Sequence, residues 1–87
     1  MKNDIKTYFY DNGTIMEQGP MVDFQRHGEW TSYYPDGTKY MVQSWVNGVN
    51  HGKYTVYNKD GSVREEEVIF TSFLGLENNQ DDKKEVQ

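Results

Sequence analysis

The first candidates for chemistry in this chain are its two histidines, His27 and His51, which stand 24 residues apart. A pair of imidazoles can hold a metal ion or act as an acid–base dyad, provided the rings lie within a few ångströms and a third group fixes them. Two strands of separation would place them near ~10 Å, twice the spacing of neighbouring strands. No carboxylate motif offers a third ligand. Each histidine is therefore expected to pack beside the glycine that follows it, with no metal, no cofactor and no catalytic group. Asp36-Gly37 and Asp60-Gly61 look like fragments of calcium loops, yet the alternating acids and the closing glutamate are missing. The absence of cysteine removes disulfides, thiolate zinc sites and thiol nucleophiles. No nucleophile elbow, phosphate loop or paired-carboxylate signature is present, so the chain reads as a non-enzyme. Glu65-Glu66-Glu67 reads as a solvated strand edge that discourages edge pairing, or as an acidic contact patch for a basic partner.

Bulk charge narrows the partners. Fourteen acidic residues against nine basic ones give a net charge of −5, and the isoelectric point is near 4.8. Nucleic acid and anionic membranes both need a positive face, so neither is an expected partner. The longest apolar run at the repeats' end is Val68-Ile69-Phe70, too short to span a bilayer. The first residues lack the apolar segment of a signal peptide, and a cytoplasmic location is the expectation.

The elements that would position any functional residue come from a repeat. Gly13, Gly37 and Gly61 recur at 24-residue steps, as do Thr7, Thr31 and Thr55, and Phe9, Tyr33 and Tyr57. Thirteen residues are aromatic and none is alanine, a composition that favours strands over helices. Each repeat reads as a β-hairpin, with strands at 28–34 and 38–46 in the second. Pro35-Asp36-Gly37 suits a type I turn with a left-handed glycine, and Gly13 and Gly61 close equivalent turns. Gly28 and Gly52 are expected at bulges or close approaches. Second turns are expected over 23–26 and 47–50. The predicted fold is all-β: a single-layer antiparallel β-meander of about three hairpin repeats. Residues 73–76 would cap its end, within a domain of residues 1–76, and 77–87 would form a flexible polar tail.

A single layer cannot hide all its rings, which points to binding through an aromatic face. Tyr10 and Tyr34 share one repeat column and Trp30 and Tyr54 another. With Tyr40, these five are the expected binding residues, for a protein partner in the first instance. A planar small-molecule ligand such as a nucleotide and a second copy of the chain are the rival partners.

Gly28-Glu29-Trp30-Thr31-Ser32-Tyr33-Tyr34-Pro35-Asp36-Gly37 and its weaker copy Gly52–Gly61 resemble the MORN-repeat variant family, bacterial proteins of the YwqK antitoxin-component type. The resemblance covers roughly residues 6–70. It implies an elongated, curved, MORN-like β-sheet that binds partners, in the manner of an antitoxin-like or inhibitor-type protein.

Overall fold

A computed structural model describes residues 3–71. The chain passes through β1 (Asn3–Phe9), β2 (Ile15–Val22), β3 (Gln25–Arg26), β4 (Gly28–Tyr33), β5 (Lys39–Val46), β6 (Val49–Tyr57) and β7 (Val63–Ile69). They form one open antiparallel sheet in the order β1-β2-β4-β5-β6-β7, with β3 added beside β2. No helix occurs among the described residues. This is the meander of three hairpins that the 24-residue period predicts. The expected cap at 73–76, the tail at 77–87 and the domain boundary between them lie outside the described residues.

The hairpin turns repeat in detail because the same side chains recur. Gly13, Gly37 and Gly61 donate their N–H groups to the carbonyls of Tyr10, Tyr34 and Asn58, each at 2.9 Å. Their φ angles of 90°, 93° and 93° demand glycine. Asn12, Asp36 and Asp60 accept from the N–H of Thr14, Thr38 and Ser62 at 3.0, 2.9 and 2.9 Å. The threonine or serine hydroxyl then donates to the same oxygen. These side chains fold back on their own backbone and so fix the turn locally.

The turns at the opposite end are shorter than expected. Only Asp23-Phe24 and Asn47-Gly48 form them, and Gln25-Arg26 and Val49-Asn50 already belong to strands. Asp23 and Phe24 have φ of 50° and 69°, and Asn47 and Gly48 have 48° and 83°. Two successive positive φ values are the two-residue turn whose twist matches that of the strands, which shortens the loop.

Register assigns the faces, since directly paired residues lie on the same side of the sheet. Trp30 pairs with Gln43, Ser32 with Met41 and Gly28 with Trp45. Glu17 pairs with Ser32, Tyr54 with Gln43 and Tyr8 with Glu17. All these define a tryptophan face. Thr31 pairs with Gln18 and Val42, and Thr55 with Val42 and Glu66, on the opposite, threonine face. The register shifts after Tyr8, Ser32 and Val56, one period apart.

The core lies on the tryptophan face. Trp30 and Val56 are its buried apolar residues, and Thr55 is buried opposite them. Trp30 fits because Gly19 leaves room: a Cβ there would lie 2.3 Å from the indole Cγ. The indole Nε1–H donates to the Pro20 carbonyl at 2.8 Å. Gly28 and Gly52 are the close-approach positions expected of them. Their φ angles are 101° and 109°, and added Cβ atoms would meet Pro20 and Ser44 at 3.0 Å.

Candidate interaction surface

The centre of the tryptophan face is built around a cation. Strand β3 carries Arg26, whose guanidinium carbon lies 3.9 Å from the Trp30 ring centroid and 5.1 Å from that of Trp45. Its two terminal nitrogens donate to the two carboxylate oxygens of Glu17, at 2.8 and 3.1 Å. This bidentate pair is about three-quarters shielded, with side-chain exposures of 27% and 25%. A planar cation held by a carboxylate over indole rings joins the first hairpin to the second. Tyr8 extends the cluster, its ring 6.4 Å from Trp30.

The five expected binding residues separate on inspection. Trp30 is 2% exposed and is the largest buried side chain. It is a core residue, and its expectation as a contact residue is corrected: Gly19, Arg26 and Tyr8 enclose the ring. Tyr10 and Tyr34 are half-buried and act between repeats. The Tyr10 hydroxyl donates to the Tyr33 carbonyl at 2.6 Å, and the Tyr34 hydroxyl to the Tyr57 carbonyl at 3.1 Å. Asn58, in the next repeat's place, instead donates to the Ser62 hydroxyl of its own turn. Tyr40 is the extra residue opposite the Ser32–Tyr33 step, and its ring lies 5.1 Å from that of Tyr34. Lys59 lies 5.4 Å from the Tyr34 ring centroid and 3.4 Å from Asp36. Tyr54 sits beyond Gln43, with its hydroxyl donating to Glu65 at 2.7 Å. That bond to a carboxylate, ahead of desolvation, pushes the Tyr54 phenol up to about 12. Thus Tyr34 and Tyr40 form one cluster, Tyr54 stands with the glutamates of β7, and Tyr10 stands one hairpin away.

Sequence reasoning missed Arg26, Glu17, Gly19 and Trp45. Gly19 had a legible signal, a glycine inside a strand pattern, which marks close approach. Arg26 had none, because its importance depends on which rings the register brings beneath it. Trp45 Nε1 and Asn50 Oδ1 are buried polar atoms with no hydrogen-bond partner among the described residues, and the two residues are paired across β5 and β6.

The histidines behave as structural residues. Asn47 N–H donates to His27 Nδ1 at 3.3 Å, and Thr71 N–H to His51 Nδ1 at 2.9 Å. Each imidazole ties the strand after a turn to the far end of its own hairpin. Among the described residues no group of three or more histidine, acidic or cysteine side chains could hold a metal ion.

The threonine face carries an open depression of about 280 Å³, lined among others by Glu29, Lys39, Lys53, Tyr57 and Glu66. Lys53 and Glu66 pair across it at 2.8 Å. The hydrogen bond between them raises the lysine and lowers the glutamate from their ordinary values. Lys39 lies 5.4 Å from the Tyr57 ring centroid. Both lysines of the depression are thus already engaged.

The family model described as MORN repeat variant matches residues 5–23, 26–47 and 50–69, segments of 19, 22 and 20 residues that together make 61 of the 87. The three matches fall on the three hairpins. No curated protein and no solved structure matches the chain. No helix among the described residues is long and apolar enough to cross a membrane.

Proposed function

The chain belongs to the MORN repeat variant family, and from that premise we propose a non-enzymatic protein-interaction module that grips its partner with the tryptophan face. The family's repeats generally serve as interaction or binding modules and are generally non-enzymatic. The observation that carries the reading is the exposure on this face. Tyr34, Tyr40, Trp45 and Tyr54 remain partly accessible, and the exposed Glu65 and Glu67 lie on the same face. Rings and acids on one face suit a partner surface with basic and apolar side chains. The net charge of −5 would speed encounter with such a surface. An antitoxin-like or inhibitor-type role in the cytoplasm is the finer form of this proposal.

The test is capture of a partner from native lysate by the full chain and by two variants. Tyr40→Ala removes a ring whose hydroxyl makes no bond among the described residues, and Lys53→Ala alters the opposite face. The expected result is stoichiometric capture that falls with Tyr40→Ala and persists with Lys53→Ala, circular dichroism being unchanged in both. Equal capture by both variants sinks the assignment of the face. Thermal-shift screening against nucleotides tests the small-ligand alternative, because a ligand that binds only the folded chain raises its melting temperature.

A further inference from the structure

The repeat carries information about the two edges of the sheet. Gln18 of β2 faces Thr31 of β4, and one period later Val42 of β5 faces Thr55 of β6. Both junctions join the second strand of one hairpin to the first strand of the next. Strand β7 is the second strand of the last hairpin, and β1 is the first strand of the first. Among the described residues nothing pairs with the outer edge of either. We propose that β7 of one molecule takes β1 of a second copy in this same register, so that copies add head to tail and extend the sheet. This association uses the edges and shares only Glu67 with the binding face proposed above.

Continuing the period sets Glu66 against Thr7, Glu67 against Lys6 and Val68 against Ile5. The chemistry of these meetings is complementary. Within the triplet at 65–67, Glu65 accepts from Tyr54 and Glu66 pairs with Lys53. Glu67 makes no hydrogen bond or ion pair among the described residues. Lys6 likewise lacks a carboxylate, its ammonium lying 5.7 Å from the Tyr8 ring centroid. Two opposite charges without an ion pair among the described residues therefore meet across the junction. On the threonine face Val68 and Ile5 are 71% and 67% exposed, and each would cover the other. Lys6 takes the column that Trp30 and Tyr54 occupy at the internal junctions, and Glu67 the column of Gly19 and Gln43. An ion pair there replaces ring packing.

The same residues select against other pairings. Two β7 edges brought together would set glutamates against glutamates, and like charges directly opposed are destabilising. A pairing of unlike edges has no built-in closure, so it yields an open series of oligomers rather than a fixed dimer.

Two measurements on the full chain test this. Sedimentation velocity from micromolar to millimolar concentration should show a continuous rise in mean mass. Lys6→Glu and Glu67→Lys should each weaken association by about tenfold, the scale of exchanging an attractive cross-strand pair for a repulsive one, and the double swap should restore it. Zero-length carbodiimide cross-linking of mixed isotope-labelled and unlabelled chains should join Lys6 of one copy to Glu67 of another. That readout needs no variant, and circular dichroism verifies the fold of those that are made. A concentration-independent monomer, which a C-terminal segment covering the β7 edge would produce, overturns the proposal. So does a closed dimer, or association indifferent to both charge swaps.

Discussion

Replacing Gly19 by alanine sets two physical effects against each other. Gly19 lies within β2 without a positive φ, so its backbone accepts alanine. On chain entropy alone the change would stabilise the fold by about 0.5–1 kcal/mol. Packing predicts the opposite sign. The added Cβ would lie 2.3, 2.4 and 2.5 Å from Cγ, Cδ2 and Cδ1 of Trp30, at the root of the indole rather than at a flexible end. The ring must shift by about 1 Å to regain ordinary contact. Arg26 at 3.9 Å and the Nε1 bond to Pro20 at 2.8 Å both resist that shift. Overpacking costs about 1–3 kcal/mol and loss of the indole bond about 1 kcal/mol, a net destabilisation of roughly 1–3.5 kcal/mol after the entropy gain. In a domain with a total stability of about 5–10 kcal/mol, this is a large fraction. Urea unfolding followed by tryptophan fluorescence gives the value. A second arm isolates the cause: a Trp30→Ala background lacks Cγ and both Cδ atoms, and Gly19→Ala should there become neutral or stabilising. A neutral or stabilising Gly19→Ala in the unaltered chain, or the same penalty in both backgrounds, would refute the account.

Three further outcomes follow from the same geometry. Tyr34→Phe removes the 3.1 Å bond to the Tyr57 carbonyl and should cost about 1 kcal/mol, a fall in melting temperature of about 4–8 °C. Phe24→Gly should raise stability by about 0.5–1 kcal/mol in a urea titration, because φ of 69° suits glycine, as Gly48 shows in the next repeat. The Tyr54 phenol is raised to about 12, so its hydrogen bond contributes to stability below pH 10.0, the ordinary tyrosine value, and that contribution is lost as pH rises through about 12. Ultraviolet titration should show one late-ionising tyrosine that Tyr54→Phe abolishes and Glu65→Gln shifts downward.

Much of the fold was legible because it is written locally and three times. Asn12-Gly13, Asp36-Gly37 and Asp60-Gly61 carry both the acceptor and the left-handed glycine of their turns, so spacing alone located the hairpins. Gly28 and Gly52 were legible for the same reason. The surface was harder to read, because it depends on register. Alternation along β2 and β4 does not say that Trp30 packs over Gly19, and only that contact turns an apparent contact residue into the core. The extra residue at Tyr40 also breaks strict alternation, which lets its ring reach Tyr34. Glu65 and Glu66 read as an exposed charge run, yet cross-strand placement gives each a partner in Tyr54 and Lys53.

The aromatic composition has two uses in this sheet, and the hydroxyl groups separate them. A single layer has no facing sheet to bury small aliphatic side chains, so rings must span from one hairpin to the next. Tyr10 and Tyr34 do this with their hydroxyls on the backbone of the following repeat, and Arg26 does it between Glu17 and the indoles. Tyr54 directs its hydroxyl to Glu65. Groups engaged in this way cannot supply hydrogen bonds to a partner without weakening the fold, so their share of binding must come from ring faces. Among the five expected binding residues Tyr40 is the exception, with its ring held against Tyr34 and its hydroxyl outside any bond among the described residues. A partner on this face should therefore depend on Tyr40 through both ring and hydroxyl. Tyr40→Phe should lower affinity at unchanged stability, whereas Tyr34→Phe should lower stability and leave affinity nearly unchanged. Equal effects of the two substitutions on both quantities would mean that the face is packing alone.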